Sequence, residues 1–236
     1  MSSSPSAKDD IHCSALLEAQ HPNDSSQPGM PIYHRRLANP APLGLLSFAT
    51  SVFLVSLTGM GTRGVEAPNI IVTTMICFGG ICQYIAGIME FVTGNTLGAT
   101  VFSAYAGFNV AYALIFIPST GVLAACTDMA TGKPLPELDQ ALALLVWAWF
   151  ILSVIFTVAA TRASWSLLLT LVFFDLESML LAVGYTVGND QILIASRAVG
   201  FVVSFCAYWS GTAGLWGSGA TVINLPTGDL SHKGTA

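Results

Sequence analysis

The sequence predicts an all-α integral membrane protein, a bundle of six transmembrane helices, on three observations. Of its 236 residues, 53% are hydrophobic and only 9% are charged, against roughly 25% charged in an ordinary globular protein. Eight Lys and Arg with thirteen Asp and Glu are too few to cover a soluble domain of this size. The apolar residues also gather into six runs of about 20–25 residues, which at about 1.5 Å per residue cross a hydrocarbon core about 30 Å thick.

Residues 1–38 are rich in Ser, Pro, Asp and His; they lack the apolar run of a secretory signal and the hydrophobicity to fold alone, so a disordered tail is expected. The spans are read at 42–61, 69–93, 97–117, 140–160, 164–187 and 192–217, making 39–217 one membrane domain and 218–236 a short polar tail. Asn39 and Pro40 open the first helix, as proline is favoured in a first helical turn. Pro68, Pro118, Pro134 and Pro136 lie between spans, where a missing backbone donor costs least. Only Gly94-Asn95-Thr96 separates the second and third spans, which requires a tight antiparallel hairpin; Asn95 or Thr96 can cap the third helix.

Six spans place both tails on one side. Setting them in the cytosol gives that face Lys8, Arg35, Arg36, Arg162 and Lys233, and leaves Arg63, Lys133 and Arg197 opposite. The excess, with Arg35-Arg36 just before the first helix, orients both termini inward across a plasma membrane. Close helix packing, within the bundle or between subunits, is expected from Gly184-x-x-x-Gly188, Ala207-x-x-x-Gly211 and Ala213-x-x-x-Gly217.

Composition also excludes. A net charge of −5 without a basic cluster argues against nucleic acid as a partner. His12, His21, His34 and His232 all lie in the polar ends, so imidazole chemistry within the membrane is not expected. The five cysteines make no C-x-x-C pair, and neither a disulfide framework nor a zinc site is indicated. With no phosphate-binding glycine loop and no nucleophile–base set, neither an enzyme nor a cofactor is expected.

Ionisable residues within the spans are functional leads, because charge is expensive at bilayer depth. Glu90, Asp175 and Glu177 stand out. On the second span Gly79, Gln83, Ala86, Gly87 and Glu90 recur at spacings of three and four, forming a small, polar face that belongs against other helices or water. Glu90 on that face either lines a pathway or braces a neighbouring helix. The helix starts at Asn39 and at Asn95-Thr96 present unpaired N–H groups, which attract a carboxylate.

Three stretches together resemble the acetate uptake transporter family: Asn39-Pro40-Ala41-Pro42-Leu43-Gly44-Leu45; Gly79-Gly80-Ile81-Cys82-Gln83-Tyr84-Ile85-Ala86-Gly87 followed by Glu90; and Gly94-Asn95-Thr96-Leu97-Gly98-Ala99-Thr100. That family includes the bacterial succinate–acetate permeases and the fungal acetate and ammonia-export proteins, and the similarity runs over about residues 38–226. The resemblance implies a six-helix protomer with its own pore, assembled as a homohexamer, that moves small carboxylates. It also implies a hydrophobic constriction, which motif matching places on Phe48, Tyr105 and Leu176. All three stand about 13–18 Å into helices that start on one side. Two departures from the family pattern are Asn109, after Phe108, and the acidic pair flanking Leu176.

The leading expectation is proton-coupled transport of acetate and similar monocarboxylates, with the lipid bilayer, the small acid and protons as partners. Asn39, Pro40, Gln83, Glu90, Asn95 and Thr96 would lie along its pathway, and Asp175 or Glu177 would carry the proton or bond another helix. Two alternatives stay open. One is ammonium movement drawn by the acidic pair, and the other a non-transporting membrane protein of acetate adaptation with a regulatory serine-rich tail.

Overall fold

A computed structural model describes residues 37–65 and 69–230; the expected N-terminal tail lies outside them, apart from its last two residues. The body from Ala38 onward contains six helices long and apolar enough to cross a membrane: α1 Ala41–Gly59, α2 Ile70–Thr93, α3 Thr96–Ile115, α4 Pro136–Arg162, α5 Trp165–Val187 and α6 Asp190–Leu215. All six lie where the apolar runs predicted. The fourth begins earlier than expected because Pro136 opens the helix rather than preceding it. Glu137 and Asp139 then fall in its first turn, where the helix dipole favours negative charge.

Local chemistry sets the helix ends. Asn95 Oδ1 accepts from the Gly98 amide at 3.2 Å, Ser164 Oγ from Leu167 at 3.3 Å and Asn189 Oδ1 from Gln191 at 2.9 Å. Asn39 Oδ1 likewise accepts from the Ala41 amide at 3.1 Å. The α2–α3 hairpin turns at Gly94, whose φ of 80° is a left-handed conformation that a side chain would resist. Between α3 and α4 a surface loop folds around Asp128, which accepts from the Ala130 amide and the Thr131 hydroxyl. The Thr131 bond, then the amide, hold that carboxyl below its ordinary range.

α1 packs along α6, α6 along α5 and α5 along α4, while α2 pairs with α3 and rests on α1. Small residues permit these approaches: Gly211 takes the Leu46 side chain and Gly184 that of Leu193. The start of α1 lies beside the end of α6, where Pro42 and Asn39 approach Gly214. Near the same end, the segment after α6 folds back on the α4–α5 turn. There the Trp165 and Ser166 amides donate to Gly228 and Thr227, and Leu230 to Ala163.

The second helix is not regular. Met75–Cys82 winds as a wide π-turn, which leaves backbone carbonyls without their usual partners. Asn109 of α3 answers this: its Nδ2 reaches Gly79 O at 3.3 Å, Gln83 Oε1 at 3.2 Å and Tyr105 O at 3.1 Å. The family departure at Asn109 is thus a hydrogen-bonding group that fits the turn opposite it. The expected face of Gly79, Gln83, Ala86, Gly87 and Glu90 is buried throughout.

At Gly87 the two helices come close: a Cβ would collide with Ser103 Oγ and lie 2.9 Å from the Ser103 amide nitrogen. At Gly107 a Cβ would meet nothing within 4 Å. Gly87→Ala should therefore destabilise by about 1–3 kcal/mol through overpacking. Gly107→Ala should be neutral or gain up to about 1 kcal/mol of helix propensity. Thermal unfolding of the detergent-solubilised variants checks the contrast.

Candidate functional site

Three aromatic rings meet inside the bundle. Phe48 of α1 stacks on Tyr105 of α3 with centroids 5.4 Å apart. Phe174 of α5 meets both edge-on, at 5.3 Å from Phe48 and 5.2 Å from Tyr105. Two of the expected constriction residues are therefore brought together and buried, at 6% and 2% exposure. The third is not. Leu176 is 39% exposed, and Phe174 occupies its expected place. The reason lies in the register of α5. Phe174, Glu177, Ser178 and Leu181 form one inward stripe at helical spacing, and Leu176 lies about 200° round the helix from Phe174. An apolar side chain at bilayer depth is at ease facing outward; the acid at 177 is not.

Beyond the ring lies a cavity of about 70 Å³, walled by Phe48, Ser51, Tyr105, Asn109, Phe174, Glu177 and Arg197 among others. A second compartment of about 140 Å³ continues toward the end of α1, past Thr58, Gly59, Ile71 and Phe116. Val55, Met75, Tyr112 and Arg197 border both. On the other side of the ring, Ala49, Val101, Phe156, Ala160, Leu171, Val203 and Ala207 pack into a continuous core with Phe48 and Tyr105. The candidate conduit thus has cavities above the ring and a packed core below it.

Arg197 is the residue that sequence reasoning passed over. Counted there only as a cation opposite the tails although the 192–217 span contains it, it stands inside α6 and is 9% exposed, the one buried cation among the described residues. Its stem lies against Gly59, where a Cβ would come within 2.7 Å of Nε. Its charge acts on Glu177 and on the hydroxyls of Tyr112 and Tyr185. The signal was available: an arginine almost two turns into an apolar helix cannot reach the interface cheaply, and so faces the interior.

The acidic leads separate into different settings. Glu177 is buried; its Oε1 lies over Gly200, where a Cβ would approach within 2.9 Å and would collide with Ser56 Oγ. Its Oε2 has no hydrogen-bond partner among the described residues. Asp175 turns to α4 instead, accepting from the hydroxyls of Ser153 and Thr157. Ser153 in turn lies 2.9 Å from the Tyr105 hydroxyl. Since Ser153 gives its one proton to Asp175, Tyr105 is the donor of that pair. The phenol is therefore committed to α4, and Tyr105 presents its ring to the conduit. Asp175 works as the anchor of that chain.

The remaining pathway candidates lie away from this cavity, and among the described residues Gln83 Nε2 and Glu90 Oε1 are buried without a hydrogen-bond partner. Glu90 is buried at the α2–α3 hairpin, with Thr93 Oγ1 3.5 Å from its Oε2 and Gly98 pressed against its carboxyl. Gln83 is fully buried behind Asn109. Asn39, Pro40, Asn95 and Thr96 stand at the helix starts below the sealed core, and neither compartment above the ring reaches them.

Comparison with known proteins accords with this architecture. Residues 23–232 match the model of the GPR1/FUN34/yaaH family. Acetate permease A of Emericella nidulans is 32% identical over 208 residues, covering 85% of this chain and 70% of the permease. Ammonia transport outward protein 2 of Saccharomyces cerevisiae is 29% identical over 189 residues, covering 80% of this chain and 65% of its own length. The solved structure of the bacterial acetate channel SatP superposes with a TM-score of 0.70 at 26% identity, covering 81% of this chain and all of the channel. Six apolar spans, the aromatic ring at mid-depth and this similarity along nearly the whole chain lead to one conclusion: this multi-pass membrane protein belongs to the GPR1/FUN34/yaaH family.

Proposed function

We propose that this chain transports acetate and other short monocarboxylates across a membrane, coupled to protons. The observation that carries the reading is Arg197, a buried guanidinium at the junction of two compartments that end at a ring of three aromatic side chains. A small anion entering low dielectric needs a counter-charge or a proton, and Arg197 supplies the first. The ring of Phe48, Tyr105 and Phe174 then limits size. The permease and the channel among the relatives support the substrate class.

A guanidinium on the wall offers an anion a counter-charge that it cannot offer a cation, which sets the acetate reading above the ammonium one. The ammonia-export relative keeps the second as an arm of the test. The non-transporting alternative gives no account of a conduit with a charged wall. Both termini in the cytosol, a plasma-membrane location, a homohexamer of protomers each with its own conduit, and a role as transporter rather than enzyme complete the proposal. Coupling to protons follows from the charge balance, since an anion moving alone inward works against an inside-negative potential of about 2.3 kcal/mol per charge per 100 mV.

Two outcomes are expected from reconstituted vesicles. An inward proton gradient should drive labelled acetate uptake above the passive rate of empty vesicles, and a protonophore should abolish the excess; ammonium-driven acidification changes should match those of empty vesicles. Protein-containing vesicles no more permeable to acetate than empty ones at any pH would defeat the reading. The ring is tested by size selectivity: Phe174→Ala should raise the butyrate-to-acetate flux ratio several-fold, and Leu176→Ala should leave it unchanged.

A further inference from the structure

Glu177 and Arg197 share the wall of the cavity above the ring, yet the carboxyl oxygen Oε2 of Glu177 is buried without a hydrogen-bond partner among the described residues. Among those residues, the charged side chain that acts on Glu177 is Arg197. A guanidinium is built to hold a carboxylate through two parallel N–H bonds. Here its resident carboxylate shares the cavity without making such a bond. The space between the walls holds a molecule of a few heavy atoms, since one water needs at least about 10–15 Å³ of such volume, and the cavity has about 70 Å³.

The charge balance of the cavity limits how an anion can enter it. With Glu177 ionised, the pair is neutral and the cavity is at rest. Adding an acetate anion would leave one uncompensated negative charge in a desolvated site. If Glu177 takes a proton as the anion arrives, the site stays neutral, and the anion becomes the partner of Arg197. We propose that Arg197 is the docking point of the substrate carboxylate and that Glu177 is its resident stand-in, displaced as counter-ion by taking up one proton for each anion bound. The step balances: one carboxylate and one proton enter, no covalent bond changes, and both leave when Glu177 ionises again and re-pairs with Arg197.

The surroundings leave this role to Glu177. Facing it are Arg197 from α6, Tyr112 of α3 across the cavity, and the Ser56 hydroxyl of α1 beside Gly200. On its own helix, Asp175 is held by Ser153 and Thr157 of α4, and Tyr185 lies 3.5 Å from the Tyr112 hydroxyl. The acidic group of α4 that acts nearby, Asp139, acts on Tyr185.

The proposal rests on the carboxylate reading above, and its test separates the two. Acetate binding to the purified full chain is measured by calorimetry between about pH 6 and about pH 8, where acetate remains ionised. The wild type should lose affinity as the pH rises, by up to about tenfold per pH unit where Glu177 is ionised in the free protein, and there take up as much as one proton per acetate, measured by repeating the titration in buffers of different ionisation enthalpy. Glu177→Gln should bind tighter at the alkaline end, with no pH dependence and no proton uptake. Because Arg197→Gln alone would leave Glu177 buried and unpaired, the neutral double variant Glu177→Gln/Arg197→Gln is the folding-safe removal. It should bind acetate at least tenfold more weakly than Glu177→Gln. A Glu177→Gln protein that keeps the wild-type slope would mean the proton rides on the acid, and would overturn the exchange. So would a double variant that binds acetate as tightly as Glu177→Gln. Wild-type vesicles impermeable to acetate would instead remove the transport reading itself.

Discussion

An ionised side chain within a bilayer must find its compensation inside the bundle, and the half of this protein around Arg197 is arranged around that demand. Insertion scales place the cost of a lone charge at mid-bilayer at about 2.5–3.5 kcal/mol, and simulations put it higher. Arg197 and Glu177 bring opposite charges to one cavity from adjacent helices, α6 and α5. Their placement requires a close α1–α6 crossing, which Gly59 permits beneath the arginine stem and Gly200 beneath the Glu177 carboxyl. It also sets the rotation of α5. Once Glu177 faces inward, Phe174 must share its stripe and Leu176 must face out. The identity of the third ring member is thus a consequence of where the acid points.

The six spans were legible because bilayer thickness and mean hydropathy are properties of long windows, insensitive to any single residue. The α2–α3 hairpin was legible because three residues leave the chain no alternative path, and Gly94 supplies the turn. Rotation about a helix axis is a finer quantity. In α5 nearly every residue is apolar, so no periodicity marks the inner face. With no sharp motif to anchor this helix, matching placed the constriction on Leu176, two residues and about 200° from Phe174, whose ring meets Phe48 and Tyr105. The acids at 175 and 177 held better information about rotation than the apolar residues did, because only they have a strong preference for the interior.

Arg197 shows the same lesson from the other direction. Near a span boundary, a cation is naturally counted for what it reports about topology, and that count passed over its place inside the 192–217 span. In the folded chain α6 starts at Asp190, capped by Asn189, and sets the guanidinium deeper still. Asn109 was legible only as a departure from a family pattern, since the π-turn it serves belongs to another helix. Gln83, Glu90, Asn39 and Asn95 are legible as polar groups that need partners. What a sequence does not carry is whether such a partner is a ligand or the protein itself. In the folded chain the helix starts partner Asn39 and Asn95, while Asn109 takes only Gln83 Oε1 and Thr93 only Glu90 Oε2, leaving Gln83 Nε2 and Glu90 Oε1 without a partner among the described residues.

In the proposed transport path two filters stand in series, and their order matters. The charged compartment would come first from the cavity side and discriminate by sign; the ring would come second and discriminate by width. An anion that satisfies Arg197 has already lost much of its hydration when it reaches Phe48, Tyr105 and Phe174, so the ring need only exclude bulk. Reversing the order would ask a hydrated anion to pass three hydrocarbon faces before meeting any counter-charge, at the full desolvation cost. The bond from Tyr105 through Ser153 to Asp175 completes the arrangement. By committing the phenol to α4, it removes from the ring the one polar group that could hold an acid there, and keeps the narrowest point a place of passage rather than of binding.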